Sequence, residues 1–429
     1  MIAPLPSPPR ILSLDVIRGI AVMGIFSVNV IAFAMIEPAY LNPGAYGGHR
    51  GADLVMWLAN YVFIDGKMRS LFSMLFGASM LLVIDRAEVS GRSPARVHYA
   101  RMVTLLGFGL LHFYFIWHGD ILALYAIVGM IAFLFRNASL PKLLATGTTL
   151  MLATAAVLSF GAMQMSKADR AAHRPRATAQ EIKRWNDNIG FLVPSPGESA
   201  RETRIARGPF SARAEYMLTE RTSDPFDAAI GFGFPTLGLM LLGMAGYRSG
   251  FLTGEWSRRR YRQVAIATLG TGGLLTLGLG LWVIASHFHV VTIFFAFLGL
   301  GGPIELAMAF GYAALIILAI RPGGALTARI GAVGRAAFSN YLGTSLIAAV
   351  IFYGGGLALF GRLSRAEAWL FVPSMWLLML AWSKPWLDRF AFGPFEWAWR
   401  SLSRWSLEPM KKRPMLGQST GSAIAFDTL

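Results

Sequence analysis

ILSLDVIRGIAVMGIFSVNVIAFAMI, residues 11–36, is a block of 26 residues in which only Asp15 and Arg18 carry charge. A bilayer core is crossed by about 20 apolar residues in a helix, so this block reads as a membrane span. Comparable blocks recur at 70–84, 100–117, 121–135, 143–165, 228–247, 264–286, 290–320, 336–360 and 368–387. The stretch 54–64 is too short to cross alone and reads as interfacial or re-entrant. The composition agrees: of 429 residues, 55% are hydrophobic and only 14% charged, against about 25% charged in soluble domains. An ordinary soluble enzyme and a disordered scaffold are excluded. A transmembrane β-barrel would alternate in strands of about 10 residues instead. The sequence predicts an all-α polytopic membrane protein with about ten transmembrane helices.

The basic residues set the orientation. Arg86, Arg92, Arg96 and Arg101 fall in one connection, Arg248 and Arg258 to Arg260 in another, Arg321, Arg329 and Arg335 in a third, and Arg400, Arg404 and Lys411 to Arg413 in the tail. Ten crossings put all four on one side, and positive connections stay cytoplasmic. Both termini are therefore predicted cytoplasmic, in a bacterial inner membrane, and the lipid bilayer is the first partner. The net charge of +16 is explained by these connections, and nucleic acid is not predicted as a partner. The Pro-rich start MIAPLPSPPR and the length of the first block predict no cleavable signal. With no cysteine, disulfides and thiolate chemistry are excluded.

Four regions follow: helices over 1–165, an external polar loop or lid over 166–225, a second helical domain over 226–405, and a cytoplasmic tail over 406–429. The external segment mixes acids and bases such as Glu181, Arg184, Glu202 and Glu215, with helical stretches near 179–188 and 212–220.

Ionisable groups inside spans are costly and usually face a bundle interior or a cavity. Asp15 and Arg18 lie three apart on one face. They either neutralise each other or present a cation to a phosphate or carboxylate arriving from the cytoplasm. Asn29, three turns further on, could orient a reacting group. Asp65, Lys67 and Arg69, in FIDGKMRSLFSMLFGAS (63–79), cluster at the external start of a span, as a polar turn or a cavity wall. GLLHFYFIWHGDILALYAIVG (109–129) turns between two antiparallel helices and brings His112 toward Asp120. Asp120 reads as a helix N-cap or as the carboxylate that orients an imidazole general base. His118 reads as interfacial. Glu305 follows Gly301, Gly302 and Pro303 in a span that reads as broken, a place for substrate or a coupling ion. His287 and His289 share a short turn with no acid nearby, and no metal is assigned.

LSLDVIRGIAVMGIFSVNV (12–30), the two motifs above, VGRAAFSNYLGTSL (333–346), which contains Asn340, and FGPFEWAWRSL (392–402) closely resemble the bacterial YeiB-like inner-membrane family, whose C-terminal half is a domain of unknown function. More distantly, Asp15, Arg18 and Asn29 resemble the opening of the heparan-α-glucosaminide N-acetyltransferase family. That likeness implies acyl transfer across the bilayer. Acyl-CoA would be a co-substrate rather than a bound cofactor. Its phosphates would meet Arg18, a small-molecule or glycan hydroxyl or amine would be the acceptor, and Asn29 would stabilise the oxyanion. The base would be His112 or His49, the latter lying just before an Ala-Asp-Leu segment like that of the family. Asp65, Lys67, Arg69, Glu305 and Asn340 are then candidates for substrate or donor binding. The alternative is a proton-coupled transporter or exporter of a small solute. Homo-oligomerisation is left open.

Overall fold

The computed structural model describes residues 11–412, so the start 1–10 and the tail beyond 412 lie outside it. The helices in chain order are α1 (Leu12–Ala34), α2 (Gly51–Phe63), α3 (Lys67–Val89), α4 (Pro94–Phe115), α5 (Leu122–Ala132) and α6 (Leu140–Ala172). Next come α7 (Ala179–Ile189), α8 (Pro196–Arg207) and α9 (Phe210–Thr219), then α10 (Asp224–Arg248), α11 (Arg258–Ala285), α12 (Val290–Phe294) and α13 (Gly301–Ala319). The chain closes with α14 (Ala325–Arg335), α15 (Ala337–Phe352), α16 (Arg365–Trp369), α17 (Phe371–Arg389) and α18 (Pro394–Arg404). Among the described residues the β structure amounts to one isolated bridge, Phe390 to Lys411.

Polarity is inverted relative to a soluble protein. Lys67, His112 and Glu305 are buried, while α6, α11 and α17 turn Val157, Phe160, Ile266, Leu274 and Leu377 outward. Such an apolar belt around buried ionisable groups is what a lipid solvent selects. Helices α1, α2–α3 and α10 form the interior. Apolar burial drives little association in lipid, so small residues that let backbones approach do more of the work. Between α3 and α10 they are Gly77 and Gly243: a methyl on either would fall 2.0 Å from Met240 O or 1.8 Å from Met74 O, respectively.

Seven helical stretches are long and apolar enough to cross a membrane, or eight if α14 and α15, bent by 77°, count as one. That is fewer than the ten predicted. Helix α4 carries Arg96, His98 and Arg101 in its first turns, and α5 with its 3-10 end, Leu122–Phe135, is short. The stretch 54–64 reads as too short to cross alone. It belongs to α2 and continues into α3 as one broken element, Gly51–Val89. The block 290–320 is also broken, by a π turn at Phe295–Gly299 between α12 and α13. The block 336–360 ends as a helix at Phe352, because Leu357 and Phe360 turn back to bond Val350 and Phe352.

The predicted external segment begins inside α6, a helix roughly 50 Å long at 1.5 Å per residue. Its remainder is folded. Capping boxes at Thr178/Glu181 and Ser195/Glu198 start α7 and α8; the second of these helices was not anticipated from sequence. The segment is docked: Tyr114 donates to Thr222 O, Arg207 to Phe360 O, and the Arg213 guanidinium stacks on Tyr353. It therefore caps the α4–α5 turn and the end of α15.

Candidate functional site

The α4–α5 turn builds the central pair. A Cβ at Gly109 would lie 2.3 Å from Ala123 N, so glycine lets the two helices touch here. One turn on, His112 Nδ1 meets Asp120 Oδ1 at 2.9 Å, with both side chains 1% exposed. An ionised carboxylate only accepts, so Nδ1–H donates, and in a neutral imidazole the lone pair is then on Nε2. Asp120 Oδ2 also accepts from Ala123 N at 2.8 Å. The carboxylate thus caps α5 and orients the imidazole at once. His112 Nε2 is buried and has no hydrogen-bond partner among the described residues.

A cavity of about 340 Å³ lies below. Arg18, Arg86, Arg101, Arg335 and Arg400 line it with Asp15 and Glu396, and Phe72, Leu75, Met102, Leu105 and Leu122 add apolar wall. Arg18 bonds Asp15 at 3.2 Å and Ser79 at 2.6 Å, so the pair both neutralises itself and faces the cavity. Tyr125 and Tyr341 also form its wall. The Tyr341 ring is 5.3 Å from the His112 ring, and its hydroxyl lies at the backbone of Ile121, beside Asp120. Glu396 accepts from Phe338 N at 2.7 Å and Ser339 N at 3.1 Å, fixing the start of α15 and so the Tyr341 wall. The bend before α15 leaves backbone N–H groups open, and Glu396 meets them.

A second cluster surrounds the break between α2 and α3. Tyr40 donates to Asp65 at 2.8 Å, Lys67 donates to Tyr61 O at 2.5 Å, and Arg69 lies 3.8 Å from Glu305. Gly66, at φ +71°, leaves the space that the Glu305 carboxyl fills; a Cβ there would come within 1.9–2.2 Å of its atoms. These groups therefore gather at the turn between α2 and α3, within the apolar stretch Gly51–Val89, with Arg69 facing Glu305 of α13.

The remaining candidates lie elsewhere. Asn29 is half-buried, is absent from the cavity wall and makes no side-chain hydrogen bond among the described residues. His49 packs edge-on against Phe288 at 5.5 Å, in the cluster around Trp57, and no contact joins it to His112. Asn340 is a structural link, donating to Val333 O and Ser383 and accepting from Trp382 Nε1. His118 lies in the capped turn, where burial, against the opposing pull of Glu37, pushes it down to about 4. The turn holding His287 and His289 does have an acid beside it: Asp169 is 3.6 Å from His289 and 3.0 Å from His173. No group of three or more such side chains among the described residues is arranged to hold a metal.

A relative from Escherichia coli (strain K12), "Uncharacterized protein YeiB", is 32% identical over 404 residues, 92% of this chain and 96% of that protein. The chain belongs to the YeiB-like family. A second member, "Uncharacterized protein YxaH" of Bacillus subtilis (strain 168), is 30% identical over 94% of this chain and 96% of its own. A third relative, an "Uncharacterized 39.9 kDa protein in amylase 3'region" of Bacillus acidopullulyticus, is 24% identical over 93% and 95%. The family model described as "Protein of unknown function (DUF418)" matches residues 246–406. No solved structure matches the chain. The family match spans α11 to α18, whereas His112, Asp120 and Arg18 lie before it, so the cavity is built jointly by both halves. The acyltransferase likeness of α1 is not carried by any of these descriptions.

Proposed function

We propose that the protein is an inner-membrane acyltransferase with both termini in the cytoplasm, taking an acyl group from acyl-CoA to a hydroxyl-bearing acceptor on the other side. One observation carries this reading: a cavity lined by arginines and by apolar side chains has a tyrosine wall packed on a buried His–Asp pair. Guanidinium groups suit phosphate oxygens, and the apolar part suits an acyl chain.

The chemistry is general-base acyl transfer. Turning of the Tyr341 ring opens His112 Nε2 to the acceptor. Nε2 takes the acceptor hydroxyl proton as its oxygen attacks the thioester carbonyl. The C–O bond forms, the C–S bond breaks, and the proton passes from His112 to the leaving thiolate. Asp120 holds the tautomer and stabilises the imidazolium. The oxyanion donor is not Asn29, which the cavity does not reach, and His49 has no carboxylate to orient it.

The test is purified full-length protein with radiolabelled acetyl-CoA. Saturable binding and slow thiol release are expected, with release lost in H112A and binding kept. Absence of both binding and release in the wild type overturns the reading. Solute transport draws its support from the Arg69–Glu305 pair between two broken helices. It predicts proton-coupled flux in proteoliposomes without any acyl donor, abolished by E305Q and indifferent to H112A.

A further inference from the structure

The Arg69–Glu305 pair, 3.8 Å apart, has unmet hydrogen-bonding capacity. The Glu305 residue is 8% exposed, and its carboxylate accepts no hydrogen bond among the described residues. The Arg69 guanidinium donates none either, and its side chain is 53% exposed although the residues on both sides of it, Met68 and Ser70, are buried. Tyr40 before α2, Asp65 in the break, Tyr125 on α5 and Glu305 on α13 all act electrostatically on the guanidinium, so groups from several elements bear on it. Tyr125 ties this pair to the cavity. Ser73 gives its single proton to Arg69 O, so the Tyr125 hydroxyl donates to Ser73 at 2.6 Å while its ring lines the cavity. Tyr125 in turn lies within electrostatic reach of Tyr341, the wall packed on His112.

The charges define the ligand. Arg69 and Glu305 cancel, as do Lys67 and Asp65 beside them. An ammonium drawn to Glu305 would meet Arg69, and a carboxylate drawn to Arg69 would meet Glu305. A neutral group that donates to a carboxylate and accepts from a guanidinium meets neither penalty. Adjacent hydroxyls do both. We infer that Arg69 and Glu305 form the binding site for a neutral vicinal diol, such as a sugar or glycerol unit, and that this diol is the acceptor; the last step rests on the acyltransferase reading. Gly66 is a positioning residue, since it gives Glu305 its room.

The experiment uses full-length protein in a detergent without sugar groups. Methyl α-D-glucopyranoside, glycerol and glucosamine are titrated by calorimetry, and nanodiscs with and without phosphatidylglycerol test a lipid-borne diol. Saturable binding of at least one neutral diol is expected, stronger than that of glucosamine, and weakened tenfold or more in R69Q and in E305Q. Thermal unfolding and R69K control for folding. No diol binding in the wild type, or unchanged binding in both variants, overturns the site. Acetyl-CoA binding is measured in parallel. Its loss with diol binding intact refutes the transfer reading and leaves the site standing.

Discussion

Replacing Asp120 by asparagine separates its two jobs. Oδ2 caps Ala123 N at 2.8 Å, and Oδ1 holds His112 Nδ1 at 2.9 Å. Asn keeps one oxygen for the cap, but its amide then presents N–H to Nδ1. The imidazole must move its proton to Nε2, where the lone pair is needed. A general base of this kind is worth about 10²–10⁴ in rate, or about 3–5 kcal/mol at 1.36 kcal/mol per decade. The fold loses far less, about 1 kcal/mol, because both hydrogen bonds survive in altered form. D120A is different. It removes the cap, about 1 kcal/mol, and strands a buried imidazole N–H, about 1–3 kcal/mol, so it should lower stability by about 2–4 kcal/mol.

Two readouts make this decisive. Thiol release from acetyl-CoA reports turnover, and ¹⁵N spectra of histidine-labelled protein report which ring nitrogen is protonated. D120N should show unchanged thermal unfolding within a few degrees, a switched His112 tautomer and turnover down at least a hundredfold. If D120N keeps the wild-type tautomer, or switches it and still turns over normally, then the pair is a helix cap and nothing more.

Other substitutions probe the surroundings. R18Q removes the cation that bonds Ser79 at 2.6 Å in the cavity wall; donor affinity should fall about tenfold, roughly the value of one charged hydrogen bond, while release from bound donor is unchanged in single-turnover assays. G66A drives a methyl into the Glu305 carboxyl at φ +71°, whereas G51A at φ +53° meets nothing within 4 Å; unfolding should show a loss above about 3 kcal/mol for the first and about 1 kcal/mol for the second. Glu202, on α8, is pushed up to about 7 by burial, which outweighs the hydrogen bond from Glu37 N. Its folded form holds a proton that the unfolded chain has lost above pH 4.5, so stability falls as pH rises from about 4.5 to 7. E202Q should remove that slope and exceed the wild type at pH 8 by about 1–2 kcal/mol, after discounting for its partial exposure, as measured by melting at pH 5 and pH 8.

What the sequence made legible follows from range. Apolar blocks and the Pro/Gly breaks between them are local, so the helical class and most span positions could be read directly. His112 and Asp120 are eight residues apart across one turn, and that spacing was enough to bring them together. The pairing of Arg69 with Glu305 spans most of the chain and depends on α3 packing against α13; the sequence supplied both residues but not their union. The reach of Glu396 to the start of α15 was hidden for the same reason, because the bent α14–α15 junction is not visible locally. Asp169 beside His289 and the whole of α8 were hidden inside a segment whose mixed charge resembles a solvated linker.

Tyr125 and Tyr341 are what make the separate clusters one site. Each lines the cavity, and each neighbours a different group: Tyr125 acts on Arg69, and Tyr341 packs on the buried His112. Neither tyrosine comes from the helix that holds its neighbour: Tyr125 is on α5 and Arg69 on α3, Tyr341 on α15 and His112 on α4. The acids differ in range: Asp120 sits on the turn into α5, eight residues from His112, and Glu305 on α13. Asp15 and Arg18 pair within one helix, where register alone keeps them together. The Arg69–Glu305 pairing instead requires the two halves of the chain to pack, as does the cavity wall. A buried pair of this kind is weak evidence for stability, and ionisable groups at bilayer depth point to a functional site; the proposed transfer reaction would give the tyrosine wall that use.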